Sequence, residues 1–449
     1  MMRAFKLSEI AAAVSGELFG EDRVINKVST DSRSIESGAL FVALSGDNFD
    51  GNQFATQAVA SGATACLVTH QISESPCVIV ENPNNAYGEI ARLNRNEFKG
   101  DLIALTGSAG KTTTKEMLAW VLSEQGSTLK TAANLNNTIG VPKTLMELNS
   151  NHRFAVIEMG ANAPGEIAFS VDKAQPNISV ILNASEAHTL GFGDLSGVVK
   201  AKGEILNAIS PGGFAVLNAD DEGYSYWSEQ GLGSDRHVFS FGVTNHSSNL
   251  MATNIHIDSQ GCAQFDVVLN GDDQGPCHLS VPGKHQVSNA LAVLSCCFLL
   301  DLPLEDAMVS IGSFKGVQGR ASKLKGLNGS SIYDDTYNAS PASMVAAIDL
   351  LASLSGKHIL VLADMAELGE KSERHHQYIA KYALDHLNDV RFFGPTFLKV
   401  ARQNSFENKQ ELIESLLGDI EPETNILIKG ANAMNMKEVV NALVDKELI

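Results

Sequence analysis

Apolar positions recur along this chain with two periods, and the alternation between those periods predicts its elements. Residues 7–14 repeat at helical spacing, followed by apolar runs at 39–44, 65–68 and 77–80 that read as strands, with a helix at 53–61 after the first. The same alternation continues: strands at 102–105, 154–158, 178–183 and 213–218 interleave with helical stretches at 86–98, 115–122 and 195–209. From 236 to 281 the pattern changes to runs such as Phe265-Asp266-Val267-Val268-Leu269, which read as antiparallel sheet. A long apolar helix at 287–300 follows. Strands at 331–335, 358–362, 390–393 and 426–428 then alternate with helices, one starting near Ser372, which implies a parallel sheet. Two stretches punctuate the series: Glu81-Asn82-Pro83-Asn84-Asn85, rich in turn formers, and the spaced glycines Gly312, Gly316 and Gly319. The expectation is an α/β protein of three domains. Residues 1–85 form a small α/β unit, 86–315 a doubly wound centre with a mostly parallel sheet, and 316–449 a Rossmann-like unit without a glycine fingerprint of its own.

One break in the pattern carries chemistry. Between the strand at 102–105 and the helix after it lies Thr106-Gly107-Ser108-Ala109-Gly110-Lys111-Thr112-Thr113-Thr114. A strand, a glycine turn, Gly-Lys-Thr and a helix describe a phosphate-binding loop, here two residues shorter than the common spacing. The glycines let backbone N–H groups and the helix N-terminus approach an anion. Lys111 reaches terminal phosphate oxygens, and the Thr112 hydroxyl suits Mg²⁺. Glu158 ends an apolar strand and His188 follows another, so Thr112, Glu158 and His188 fall on one predicted sheet edge, where ligands gather. The amide-rich stretch Asn134-Leu135-Asn136-Asn137-Thr138-Ile139-Gly140-Val141-Pro142 either reads ligand groups or caps turns. Lys200 and Lys202 read as a solvated basic face, and Arg33 of Asp31-Ser32-Arg33 as a solvated loop arginine that has the fork to hold a phosphate.

Composition narrows the partners. The net charge of -19 argues against nucleic acid or an acidic membrane, although a nucleotide remains compatible because the loop is locally positive. The six cysteines show no CxxC spacing and read as buried, reduced thiols, which fits a cytoplasmic setting. No apolar run is long enough to span a bilayer, and Glu9 and Glu17 argue against reading the N-terminus as a signal peptide. Nothing demands more than a monomer.

With these motifs in place, the chain resembles the Mur ligase family over essentially its whole length. The short-spaced phosphate loop carries the resemblance, with Asp31-Ser32-Arg33, Gly46 and Asp50-Gly51, the amide stretch at 134–142, Asp334-Asp335-Thr336-Tyr337-Asn338-Ala339-Ser340-Pro341 and Ala363-Asp364-Met365-Ala366-Glu367-Leu368-Gly369. The resemblance implies an ATP-dependent, ADP-forming ligase of peptidoglycan precursor synthesis, joining D-alanyl-D-alanine to UDP-N-acetylmuramoyl-tripeptide through an acyl phosphate. It implies that the first domain binds the UDP substrate through Ser32 and Arg33, with Asn134, Asn137 and Asn338 also on the substrate side. Gly107, Ser108, Ala109, Gly110, Lys111, Thr112 and Thr113 would hold ATP, together with Asn289 near the adenine, Arg320 on a phosphate and Asp335 near the ribose. Thr112, Glu158, His188 and a carbamylated Lys202 would hold Mg²⁺, two ions in all, and Lys111, His188, Lys202 and Arg320 would serve catalysis. The chain departs from the family pattern at His285-Gln286, at Asn432 where an arginine is frequent, and at Asn52. A sister ligase adding one amino acid, a folylpolyglutamate-synthase-like amide ligase and a nucleotide-switched binding protein are the alternatives.

Overall fold

A computed structural model describes residues 2–46, 48–72, 75–185, 189–232 and 235–445, which fold around three large sheets. In the first, strands run in the order Glu17–Phe19, Cys77–Ile79, Ala65–Val68, Ala39–Val42, Lys27–Ser29. All neighbours are parallel except the pair at the Glu17–Phe19 edge. The two inner strands Ala39–Val42 and Ala65–Val68 are buried at every position, which is why they read as unbroken apolar runs. The edge strands are three residues each and half exposed, so periodicity does not reveal them.

The second sheet has the order Thr128–Lys130, Phe154–Glu158, Asp101–Thr106, Ile178–Ile181, Phe214–Asn218, His237–Gly242, Leu250–Ile257, Cys262–Leu269, Asp272–Pro282. Antiparallel pairing begins only at Leu250–Ile257; His237–Gly242, expected to be antiparallel, extends the parallel part. Its last four residues are all buried, as both faces of a parallel sheet require. The third sheet runs Ser322–Lys325, Ser331–Asp335, Thr424–Lys429, Lys357–Ala363, Val390–Phe393, Ser405–Phe406, and is parallel apart from its first pair.

Two helices differ from expectation for identifiable reasons. The turn-rich stretch at 81–85 is the cap of a helix spanning Pro83–Glu97: the Asn82 side chain accepts from the N–H groups of Asn84 and Asn85, and proline fits the first turn. The helix expected over 195–209 covers Leu195–Gly203 and tightens into a 3₁₀ turn at Glu204–Leu206. There the Glu204 carboxylate accepts from Gly165 N and Ala168 N at the start of the helix Glu166–Ala174. One apolar cluster runs from Leu40 and Val42 of the first sheet to Leu102 and Ile157 of the second, through Ile90 of the bridging helix. Each such fully buried side chain contributes about 1.5–3 kcal/mol. The third sheet carries separate clusters on its two faces.

Candidate active site

The strand Asp101–Thr106 lies between Phe154–Glu158 and Ile178–Ile181, with Leu105 opposite Glu158 and Thr106 opposite Ile181. Helices cover the sheet, so chemistry collects at the exposed carboxyl edge where the strand order reverses. The loop leaving that strand is stitched to residues 183–185. Ser108 N donates to the Asn183 carbonyl at 3.0 Å, and Ala109 N to Asn183 Oδ1 at 2.8 Å. Asn183 Nδ2 donates back to the Ala109 carbonyl at 3.2 Å, and Ser185 N donates to Ser108 Oγ at 3.0 Å. Gly110 then takes φ 80° to open the helix Lys111–Gln125. A Cβ there would stand 2.5 Å from Asn289 Oδ1, so the position excludes other residues both by conformation and by space. Asn289 donates to Gln286 Oε1 at 2.8 Å, so the glutamine at the His285-Gln286 departure serves to orient Asn289.

Lys111 folds back over the loop, its Nζ donating to the Gly107 carbonyl at 2.6 Å. Burial lowers its pKa, the Glu158 charge opposes that, and Arg320 reinforces it. Glu158 is 2 % exposed. Its Oε1 accepts from Asn136 Nδ2 at 2.8 Å and from Thr112 Oγ1 at 3.4 Å, while its Oε2 lies 3.4 Å from Lys115 Nζ without a hydrogen bond. An anionic oxygen left without a hydrogen bond inside the protein, beside the loop hydroxyl, is a donor set that fits a divalent cation. Among the described residues no group of three or more His, Cys, Asp or Glu could hold a metal ion, so the fit is to an ion such as Mg²⁺ that keeps water and phosphate oxygens as ligands.

Lys202 contradicts the solvated reading. Lys200, two residues before it, is exposed, but Lys202 is 2 % exposed, with its ammonium 5.8 Å from the Phe192 ring centre. Burial, helped by the Lys111 charge and opposed by Glu204 and Glu166, pushes its pKa down to about 7. His188 lies outside the described residues.

The opposite wall comes from the third sheet. Arg320 stacks over Tyr337 at 3.9 Å and its Nη2 donates to Thr112 Oγ1 at 3.2 Å, joining residues 208 apart in sequence. Its Nε is buried without a partner. Asp335 Oδ1 accepts from Ala321 N at 3.2 Å; Lys429 Nζ bonds Asp335 Oδ2 at 2.7 Å and the Asn338 carbonyl at 3.0 Å. Between the walls lies a cavity of about 370 Å³, lined by the loop at 108–110, Asn289, Arg320 and Asp335 among others. A second cavity, about 560 Å³, adjoins it across Asn338 and Glu367 and is lined also by Asn134, Tyr337 and Asn432.

The structure therefore gathers the loop at 108–110, Asn289, Arg320 and Asp335 on one cleft, with Glu158 bonded to Thr112 of the same loop, Asn134 on the neighbouring cavity and Asn338 on both. It leaves others apart. Arg33 keeps 82 % of its side chain exposed and is paired with Asp31 through bonds of 2.9 and 2.8 Å, as the solvated reading expects. Ser32 is buried and bonds Gln57 Oε1 at 3.4 Å. Asn137 turns its Oδ1 to Ile139 N and Gly140 N, so it caps a turn rather than facing either cavity. Asn52 likewise braces the Thr69 N–H, at 2.9 Å. Among the side chains missed from the sequence, Asn183 ends an apolar strand and Asn136 sits inside the amide run; both had a local signal. Tyr337 lies in a stretch that carries the family resemblance and Lys429 beside the Asn432 departure, but their pairings with Arg320 and Asp335 are made between distant segments, which local spacing does not show.

Comparison with known proteins agrees with this geometry. The Mur ligase family catalytic domain matches residues 24–105, the Mur ligase middle domain 105–297, and the Mur ligase, glutamate ligase domain 319–432. The chain is 38 % identical to the UDP-N-acetylmuramoyl-tripeptide–D-alanyl-D-alanine ligase of Escherichia coli, covering 98 % of this chain and 99 % of that one. It is 31 % identical to the ligase of the same name from Bacillus subtilis, covering 98 % and 99 %. Its fold superposes on a crystal structure of MurF from Acinetobacter baumannii with a TM-score of 0.91 at 31 % identity, covering 98 % of both chains. With MurF ligase from Thermotoga maritima in complex with ADP the TM-score is 0.85 at 26 % identity, over 93 % and 96 %. The match runs from the first sheet through the third, and on that ground the chain belongs to the Mur ligase family.

Proposed function

We propose that this chain is an ATP-dependent, ADP-forming ligase that joins D-alanyl-D-alanine to UDP-N-acetylmuramoyl-tripeptide. The observation that supports it most is the meeting of two cavities at one wall: a nucleotide cleft built from both domains shares Asn338, Ala366 and Glu367 with a chamber that has room for an amine acceptor. In this reading ATP lies along the loop at 107–113, with Asn289 at the adenine end and Asp335 at the ribose. The tripeptide carboxylate attacks the γ-phosphorus, ADP leaves, and an acyl phosphate forms. The acceptor amine then attacks its carbonyl carbon, loses a proton, and phosphate leaves. Lys111 and Arg320 hold the transferring phosphoryl oxygens, so catalysis is positioning plus electrostatic stabilisation. Thr112, Glu158, His188 and Lys202 are the residues that would hold Mg²⁺, which when bound neutralises phosphate charge. A Lys202 amine with a pKa near 7 is substantially neutral at physiological pH and can add to CO₂, releasing a proton and leaving a carbamate anion. Ser32 and Arg33 are assigned to the UDP end.

The test is phosphate release from ATP with the UDP-linked tripeptide, with D-alanyl-D-alanine supplied, omitted, or replaced by single amino acids. Release only with the dipeptide is expected. Release with a single amino acid would make this a sister ligase, and ATP binding without release would make it a nucleotide-switched binder.

A further inference from the structure

The turn at 364–369 separates the two cavities, and more structure is invested in holding it than its short length requires. Its tip carries Ala366 and Glu367, which line both chambers. Glu367 adopts φ +62°, an unfavourable conformation for a side chain with a Cβ, which persists only when its surroundings impose it. The surroundings do so from both sides. Met365 and Leu368 are buried in the third-domain core. Met365 N donates to Nε2 of the fully buried His376 at 2.9 Å, and His376 Nδ1 meets the Ser372 carbonyl at 2.7 Å. A ring that accepts at Nε2 and donates at Nδ1 is one neutral tautomer. Its edge packs on Phe397 at 4.7 Å. Asp364 accepts from Thr396 N and Phe397 N at 2.8 and 2.9 Å, pinning the other end.

What this turn presents is a carboxylate. Among the described residues lining the second cavity, Glu367 is the one charged side chain; the rest are asparagine, alanine and tyrosine. Such a chamber suits an alkylammonium group. We infer that Glu367 is the specificity residue that binds the ammonium of the incoming amine, and that His376 is the positioning residue that holds it at the wall shared with the nucleotide. This rests on the ligase reading above and adds to it the recognition of the acceptor.

Steady-state kinetics on the full chain test it. Glu367→Gln loses a charge-assisted hydrogen bond and should raise KM for D-alanyl-D-alanine roughly tenfold to a hundredfold with KM for ATP little changed. His376→Asn, which keeps the donor to Ser372 but loses the acceptor for Met365 N, should move the same KM upward. His376→Gln, which can place an acceptor near Nε2, should restore much of it. N-acetyl-D-alanyl-D-alanine, without an ammonium, should compete equally weakly against the parent and Glu367→Gln. An unchanged dipeptide KM in Glu367→Gln, or an equal rise in both KM values, would overturn the assignment even if His376 variants fail to fold. A parent chain that releases no phosphate with any amine would instead bring down the ligase reading, and this assignment with it.

Discussion

The two walls of the cleft proposed to hold ATP are built by different means. On the central wall, the residues assigned to phosphate are contiguous, from Gly107 to Thr113, and much of what they offer is backbone: a left-handed glycine, a helix start and N–H groups. On the third-domain wall, Arg320, Asp335 and Lys429 come from three separate stretches of chain and are held by neighbours distant in sequence: Lys429 by Asp335, Arg320 by Tyr337. The first wall is preset by local chain geometry. The second exists only when its sheet is formed and docked, as the Arg320–Thr112 bond across the seam shows.

The largest break in that comparison should come from Lys111→Ala. It removes the one ammonium lying on the loop, and phosphate release should fall by roughly a thousandfold or more. Near-native turnover would mean that the loop has been assigned wrongly. Arg320→Lys asks whether the second wall needs only charge. Lysine lacks the planar fork and the stacking over Tyr337, so kcat should drop by roughly a hundredfold while the melting temperature holds; equal rates would reduce the wall to a point charge. Gly110→Ala sharpens the first wall. The left-handed backbone costs about 1–2 kcal/mol, and the displaced Asn289 adds to it, so ATP affinity by calorimetry should weaken roughly tenfold.

The smallest effect is one of pH on the second wall. Burial lowers the pKa of His376, with the Ser372 carbonyl and the Asp364 carboxylate at 3.7 Å opposing and His375 reinforcing the shift. The Glu373–Lys399 pair at 3.7 Å, on the same helix and the one packed against it, is exposed. Below the ordinary histidine value of about 6.5 the unfolded chain binds a proton that the folded one resists, so stability is complete above that value and declines as pH falls towards the lowered one. Comparing melting curves of the parent and His376→Gln from neutral to mildly acid pH should show a loss of about a few degrees more in the parent. Parallel curves would place the acid sensitivity elsewhere.

Much of the molecule was legible in the order of its residues. The parallel strands stand out because burial on both faces leaves unbroken apolar runs such as 102–105 and 154–158, and the loop between strand and helix is legible because glycine, lysine and threonine are needed at adjacent positions. Short half-exposed edge strands such as Lys27–Ser29 carry no such run. The Pro83–Glu97 helix was expected to begin at 86 because Asn82-Pro83 serves equally as a turn signal and a helix cap. Lys202 resisted a reading from periodicity for a physical reason. Its neighbour Lys200 on the same helix is solvated, and nothing in the spacing says which of the two turns towards Phe192 and the loop.

By itself, then, the sequence determined the alternation of elements, the position of the phosphate loop and its Mur ligase character, since each depends on residues close together in the chain. The tertiary structure alone decided that Gln286 steers Asn289, that Asn136 braces Glu158 while Asn137 caps a turn, that Lys202 is buried, and that His376 holds the Met365 N–H. Those are contacts between distant segments, and a side chain's charge state and partner follow from the burial that only packing creates.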